Sequence, residues 1–231
     1  RVIIEYNGMW LVSNFEKTQL PTGWGVEQQI TCVDGSTFQM YMANMKSIFM
    51  DMIKNTDMVI FNRCKKEDPL PTYRRGIKVA NQRAEVIFED EEGELGDIFQ
   101  DEMPFDMNAP VIEILPEDYG IWFVDAMDHP ENYEGKTVKF KARVMKPRGM
   151  GSKFFVPGRT AMTCCADDTT FLGYVCKSAY APKLTPGEWV EVTAKVGIEK
   201  RNEYQGEEGI VLDAEHVEQC DPLEDEMVYF N

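Results

Sequence analysis

A chain of 231 residues has room for one large domain or for two of about 100 residues, each able to bury a core. With 40 acidic against 24 basic residues the formal charge is −16, which repels phosphate backbones and disfavours nucleic acid as a main partner. The longest apolar runs, such as Met58 to Phe61 and Ile121 to Val124, fall far short of the roughly 20 residues that span a bilayer, so no transmembrane segment is expected.

The sequence opens at Arg1 inside an apolar run, Val2-Ile3-Ile4, which leads to the expectation of a piece of a longer protein. Val2 to Glu5 and Gln29 to Asp34 read as buried strands, each ending in a carboxylate. Ser36 or Thr37 can cap a helix whose apolar positions, Phe38, Tyr41, Met42, Met45, Ile48, Phe49, Met52 and Ile53, recur at steps of three and four on one face. Met58 to Phe61 forms the next strand, Pro71 to Ala84 a second helix and Glu85 to Phe88 a fourth strand. Alternating strands and helices predict a parallel sheet with right-handed crossovers.

From Glu89 to Asn108 the chain turns acidic and carries Gly93, Gly96 and Pro104, with a short helix near Asp97 to Asp101. The first domain therefore ends near residue 105 and the second covers 106–231. Beyond the boundary the apolar period changes to two over Thr137 to Val144 and Trp189 to Val196, each run following a Gly-containing turn. Further strands are expected at Lys153 to Val156, Thr160 to Cys165, Thr169 to Lys177, Gly209 to Val217 and Met227 to Phe230. The fold class is thus α/β followed by all-β, the second domain an OB-like closed barrel with a sandwich as the alternative.

The ends of the first-domain strands hold the densest chemistry, since open α/β sheets bind ligands at their carboxyl edge. There stand Glu5-Tyr6-Asn7-Gly8, Val33-Asp34-Gly35 and Asn62-Arg63-Cys64-Lys65. In order and spacing residues 1 to 90 resemble the C-terminal half of the GTPase domain in the CobW/HypB/UreG family of metallochaperone-type P-loop GTPases, whose motifs are E-x-x-G, V-D-A and N-K-x-D. The resemblance implies GTP as cofactor, Glu5 and Gly8 as catalytic switch residues that sense the γ-phosphate, and Asp34 and Asn62 as cofactor-binding residues, with Asn62 on the base. Lys65 stands where the family places the aspartate that reads guanine. No G-x-x-x-x-G-K-[ST] occurs in the sequence, so the chain is expected to bind nucleotide poorly and to hydrolyse none.

In the second domain the run from Pro157 to Asp168 carries Arg159, Met162 and the adjacent Cys164 and Cys165, with Pro222 and Val228-Tyr229 further on. From Asp118 to Asn231 the chain resembles a permease-associated bacterial domain of unknown function, which implies a membrane permease, or another protein, as partner. Six cysteines without a CxxC pair fit reduced thiols in a cytoplasmic protein. Cys164 and Cys165, with Asp167, Asp168 and Cys176, are candidate ligands for a divalent metal ion. Against that stands the alternation of a strand, which sends neighbouring side chains to opposite faces and packs one thiol in the core. The basic cluster Arg143, Lys146, Arg148 and Lys153 flanks a loop with Gly149 and Gly151, and reads either as a solvated hairpin tip or as a seat for a phosphate or an anionic partner surface.

The function expected from these features is that of a CobW-like accessory of metal homeostasis or of a membrane permease, itself unable to hydrolyse GTP. The alternative is a nucleotide-independent adaptor.

Overall fold

The computed structural model describes residues 1–96, 103–163 and 169–229. Two compact units form, the first of residues 1–96 with Thr163 and the second of 103–162 and 169–229.

In the first unit a short helix α1 (Val12–Glu16) precedes β1 (Ile30–Asp34), α2 (Phe38–Ile53), β2 (Met58–Asn62), α3 (Leu70–Ala80) and β3 (Glu85–Phe88). The strands run parallel in the order β1-β2-β3, with Ile30 beside Met58 and Met58 beside Glu85. One residue parity of the sheet, Val33, Val59, Phe61 and Phe88, shares a core with Phe38, Phe49, Met50 and Ile53 of α2 and Leu70, Tyr73 and Ile77 of α3. Both crossover helices therefore lie on one face, as consecutive right-handed crossovers require. The other parity, Ile30, Cys32, Met58, Ile60 and Ile87, belongs to no buried cluster, and Ile30 is 48% exposed.

Three expectations are corrected by the fold. Residues 2–5 form no strand, and Val2, Ile3 and Ile4 are all exposed. An apolar run becomes a strand only where a ladder satisfies its amides, and β1 pairs with β2 alone. Helix α2 has the expected span but breaks at Met45 (φ −135°, ψ 27°), so the faces before and after the break are offset and Met50, outside the expected stripe, is buried. Its Thr37 does not cap the helix amides, because the hydroxyl donates back to the Asp34 carbonyl.

The second unit opens with β4 (Ile112–Glu113) and α4 (Tyr119–Asp128), followed by β5 (Thr137–Met145), β6 (Phe154–Met162), β7 (Thr169–Gly173), β8 (Val175–Lys177), β9 (Trp189–Lys200), β10 (Glu208–Gln219) and β11 (Met227–Val228). β5 pairs antiparallel with β6 and β9, β9 pairs antiparallel with β10, β10 runs parallel to β8, and β8 returns antiparallel to β6. That circuit closes a five-stranded barrel with one parallel pair, the OB-like alternative rather than the sandwich. Strict alternation in β5 and most of β9 sends Val138, Phe140, Ala142, Val144, Val190, Val192 and Ala194 inward. Helix α4 adds the buried Tyr119, Trp122 and Phe123 to that interior.

The turn between β9 and β10 is held by one aromatic side chain. Tyr204 Oη donates to the Ile210 carbonyl at 2.5 Å and accepts from the Val175 amide at 3.2 Å, and its ring lies on Gly209, where a Cβ would come within 2.5 Å of Cδ2. Two hydrogen bonds fix the ring, so it cannot swing aside. Gly209→Ala is expected to cost about 1–3 kcal/mol of barrel stability, read as faster hydrogen exchange along β9 and β10 under mild urea. Unchanged exchange would show that the ring yields.

Candidate functional site

The carboxyl edge of the three-stranded sheet gathers the polar groups of the first unit. Parallel register sets Asp34, the last residue of β1, beside Asn62, the last of β2. Just beyond, the Gly35 amide donates to the Asn62 carbonyl at 2.8 Å. A Cβ at Gly35 would stand 2.7 Å from Cys64 Sγ and 3.0 Å from the Asn62 carbonyl oxygen, so only glycine permits the two strand-end loops to approach this closely.

Asp34 is fully engaged. Its Oδ1 accepts from the Ser36 hydroxyl at 2.6 Å and the Ser36 amide at 3.0 Å, and its Oδ2 accepts from Arg63 Nη1 at 2.5 Å. The Ser36 hydroxyl is the main cause that holds its carboxyl below the ordinary range; burial opposes it with the next largest effect, and Arg63 and the Ser36 amide add to the lowering. Arg63 adopts left-handed backbone (φ 55°), uncommon for a residue with a Cβ, and from there its side chain turns back to Asp34.

Cys64 follows as a buried thiol whose Sγ donates weakly to the Phe61 carbonyl at 3.7 Å. Burial, with Asp68 next in weight, pushes it up to about 11, so it is a protonated packing group at neutral pH and no nucleophile. The Lys65 amide donates to Asp68 Oδ2 at 2.8 Å and the Lys65 side chain is exposed. One group of the edge is left without a partner among the described residues: Asn62 Oδ1 is buried and accepts no hydrogen bond. A buried acceptor left unpaired calls for an explanation, such as a water, an ion or the N–H or O–H donor of a ligand.

Of the four residues expected to share this edge, the fold brings Asp34 and Asn62 together. Glu5 and Gly8 stand elsewhere, in the irregular segment that leads to α1. Glu5 is exposed, the Gly8 carbonyl accepts from Tyr41 Oη of α2 at 3.2 Å, and a Cβ at Gly8 would reach Met52 Cε near the other end of that helix at 4.0 Å. Arg63 is the residue that spacing could not single out. Its role follows from the left-handed backbone, which no sequence pattern announces for an arginine.

Cys164, Cys165, Asp167 and Asp168 lie outside the described residues. Cys176, weighed beside them as a third thiol, is wholly buried in the barrel with its ionisation pushed well up, chiefly by burial. No three His, Cys, Asp or Glu among the described residues are grouped so as to hold a metal ion. Likewise no described helix is long and apolar enough to cross a membrane.

The arginine of the run from Pro157 to Asp168 is buried. Arg159 in β6 is 2% exposed, donating from Nη1 to the Pro116 carbonyl and from Nη2 to the carbonyls of Asp225 at 3.0 Å and Met227 at 3.1 Å, with its guanidinium 5.6 Å from the Tyr119 ring centre. Its place is structural, tying the segment before α4 and the C-terminal segment to β6.

Comparison with known proteins bears mainly on the second unit. Residues 94–230, more than half of the chain, match the family described as DUF1980 C-terminal domain. That match begins at residue 94, ahead of the resemblance read from Asp118 onward, and so takes in β4 as well. No curated protein matches the chain. Among solved structures, the mitochondrial single-stranded DNA-binding protein Rim1 of S. cerevisiae is 10% identical with a TM-score of 0.24, over 38% of this chain and 97% of that one. A small single-stranded DNA-binding protein from Streptomyces coelicolor is 14% identical with a TM-score of 0.23, over 38% and 95%. Aspartyl tRNA synthetase from Entamoeba histolytica is 15% identical with a TM-score of 0.27, over 51% of this chain and 27% of that one. At such scores these likenesses carry no functional argument, and the barrel is identified by its own strand order.

Proposed function

We propose that this chain, which belongs to the DUF1980 C-terminal domain family, is an accessory protein that joins the base-side edge of a CobW-like GTP site to a partner-binding barrel. The α/β unit presents Asn62 and Asp34 at the sheet edge, and the barrel meets a membrane permease or its cargo. Metal homeostasis is the setting implied by the resemblance of the first 90 residues. Without a phosphate-binding loop in its sequence the chain hydrolyses no GTP by itself.

The observation that carries the nucleotide half of the reading is the orphaned Asn62 Oδ1 in register with Asp34 at the end of a parallel sheet. An amide there can accept from a purine's exocyclic or ring N–H, and the neighbouring loops are already fixed by Gly35, Arg63 and Cys64. Titration of the full chain with a fluorescent GTP analogue, and with the ATP analogue beside it, tests this. Weak binding that favours GTP is expected, and Asn62→Ala should weaken it about tenfold, the worth of one lost hydrogen bond. Equal response to both nucleotides, or an unaffected Asn62→Ala, overturns it.

Absence of any nucleotide response would select the second reading, the nucleotide-independent adaptor. Three observations favour that reading: the Asp34 carboxylate already held by Ser36 and Arg63, Lys65 in the place of the guanine-reading aspartate, and the sheet face with Ile30, Cys32, Met58, Ile60 and Ile87, which no helix among the described residues covers.

A further inference from the structure

The net charge of −16 hides a strong asymmetry within the barrel. Between Gly135 and Gly187 the sequence holds ten lysines and arginines, and Asp167 and Asp168 are its only acids. Strand β10 carries the opposite sign, with Glu208, Asp213, Glu215 and Glu218 and no lysine or arginine, while β9 balances two acids with two lysines.

The fold concentrates part of that basic stretch on one surface. The loop from β5 to β6 carries Lys146, Arg148 and Lys153, and the turn after β8 carries Tyr180 and Lys183. Lys146 ties loop and turn together by donating to the carbonyls of Ala181 and Leu184, both at 2.6 Å, and the Ser178 amide donates to the Lys153 carbonyl at 2.9 Å. Those contacts use carbonyls and leave the ammonium charge of Lys146 without a carboxylate. Arg148, Lys153 and Lys183 are exposed and meet no carboxylate among the described residues. Other basic groups of the unit are neutralised: Lys139 by Glu191 at 3.1 Å, Arg143 by Glu226 at 3.6 Å and Arg201 by Glu203 at 3.0 Å. The patch is bounded by Lys177, whose β10 neighbour is Asp213. In barrels of this type, the loop between the first two strands and the face of the second and third are where ligands bind.

We propose that this basic surface, formed by Lys146, Arg148, Lys153 and Lys183, is a docking site for an acidic polypeptide segment of a protein partner. The patch has four cations and little else to recognise, which suits the diffuse field of clustered aspartates and glutamates. Single-stranded nucleic acid would ask for a row of free rings on which bases stack. Here Arg201 already covers the Phe154 ring, 4.4 Å from its centre, and Tyr180 is the one exposed ring of the patch among the described residues. An anionic lipid surface would ask for apolar side chains that insert beside the charges, and Met150 at the loop tip is half-buried. The proposal rests on the barrel as the partner-binding unit and does not depend on the nucleotide edge.

Fluorescence anisotropy of the full chain with a labelled poly-glutamate peptide tests it, with oligo(dT) and vesicles of mixed phosphatidylserine and phosphatidylcholine run in parallel. The peptide is expected to bind at low salt, to weaken steadily as salt rises, and to bind at least about tenfold more weakly to R148E/K153E/K183E. A K195E/K200E variant, with the same type of change on β9 outside the patch, should bind as the parent does. Equal thermal unfolding of the parent and both variants shows that charge and not folding has changed. An unaffected triple variant overturns the proposal. Binding of oligo(dT) or of vesicles in place of the peptide also overturns it, although the barrel would remain a binding unit. Failure of all three probes removes that role from the barrel as well, whereas the reading of the Asn62 edge stands or falls on the nucleotide titration alone.

Discussion

Arg159→Met is expected to destabilise the barrel by about 3–4 kcal/mol and to release the C-terminal segment from β6. The guanidinium is buried and forms no ion pair among the described residues, and burial lowers its proton affinity more than Tyr119, Asp225 and Glu117 raise it. What holds it is geometry: three backbone carbonyls, from Pro116, Asp225 and Met227, converge on two terminal nitrogens. Methionine fills most of the volume but donates nothing, so three buried acceptors lose a charged partner, each worth about 1–3 kcal/mol. Relief from burying a charge offsets part of that loss, which is why the expected sum is below the total of the three. Because β11 meets β6, among the described residues, through Met227 beside Thr160 and Val228 beside Ala161 alone, the effect should concentrate there. Hydrogen exchange at residues 225–229, with global unfolding in urea, makes the check. Arg159→Lys, which keeps the charge but reaches fewer carbonyls, should fall between the parent and the methionine variant. Parent-like exchange in Arg159→Met would mean that the ladder alone holds β11.

The same arginine shows where sequence reading stops. The expected strands end at Val156 and resume at Thr160, so Arg159 falls between them, and its burial depends on acceptors 43, 66 and 68 positions away, which no local pattern brings together. Legibility was high where one face decides the structure. The alternation in Thr137 to Val144 and Trp189 to Val196 located two barrel strands, and the strand-helix-strand pattern from Gln29 to Phe88 located the parallel sheet. It was low where pairing or backbone decides. Val2 to Glu5 has a strand's composition but no ladder to join, and the break at Met45 lies inside a run of good helix formers. At the candidate site the sequence placed Asp34 and Asn62 side by side. It could not show that Asp34 would be saturated by Ser36 and Arg63, since that closure depends on one left-handed residue.

Gly158→Ala is expected to be the most damaging single methyl in the molecule, costing about 3 kcal/mol or more. Pro157-Gly158 reads as a break between two strands, yet β6 runs unbroken from Phe154 to Met162, and this glycine is what permits it. On one edge β6 pairs Gly158 with Arg143 of β5, and on the other it pairs Gly158 with Gly173 of β7. The two facing glycines let the backbones come closer than side chains allow. A Cβ at Gly158 would stand 2.3 Å from the Leu172 carbonyl oxygen and 2.4 Å from Phe171 Cε1, and one at Gly173 would stand 2.6 Å from the Pro157 carbonyl oxygen. Carbonyl oxygens of a paired strand cannot rotate away as a flexible side chain can, so relief requires moving β7 as a whole. The Leu172 carbonyl also accepts from Tyr119 Oη at 3.0 Å, so that movement would pull on the aromatic interior at α4. Overpacking a fixed backbone in this way exceeds the ordinary 1–3 kcal/mol of an enlarged core residue. Gly76→Ala provides the opposite sign in the same experiment. It lies inside α3 with nothing within 4 Å of an added Cβ, and should stabilise the first unit by about 0.5–1 kcal/mol through the unfolded chain. Because the chain has two units, each variant is best read by hydrogen exchange in its own unit rather than from one melting curve. Parent-like protection of β6 and β7 in Gly158→Ala would show that the strands separate at little cost, and the close approach would then not be what keeps β6 continuous.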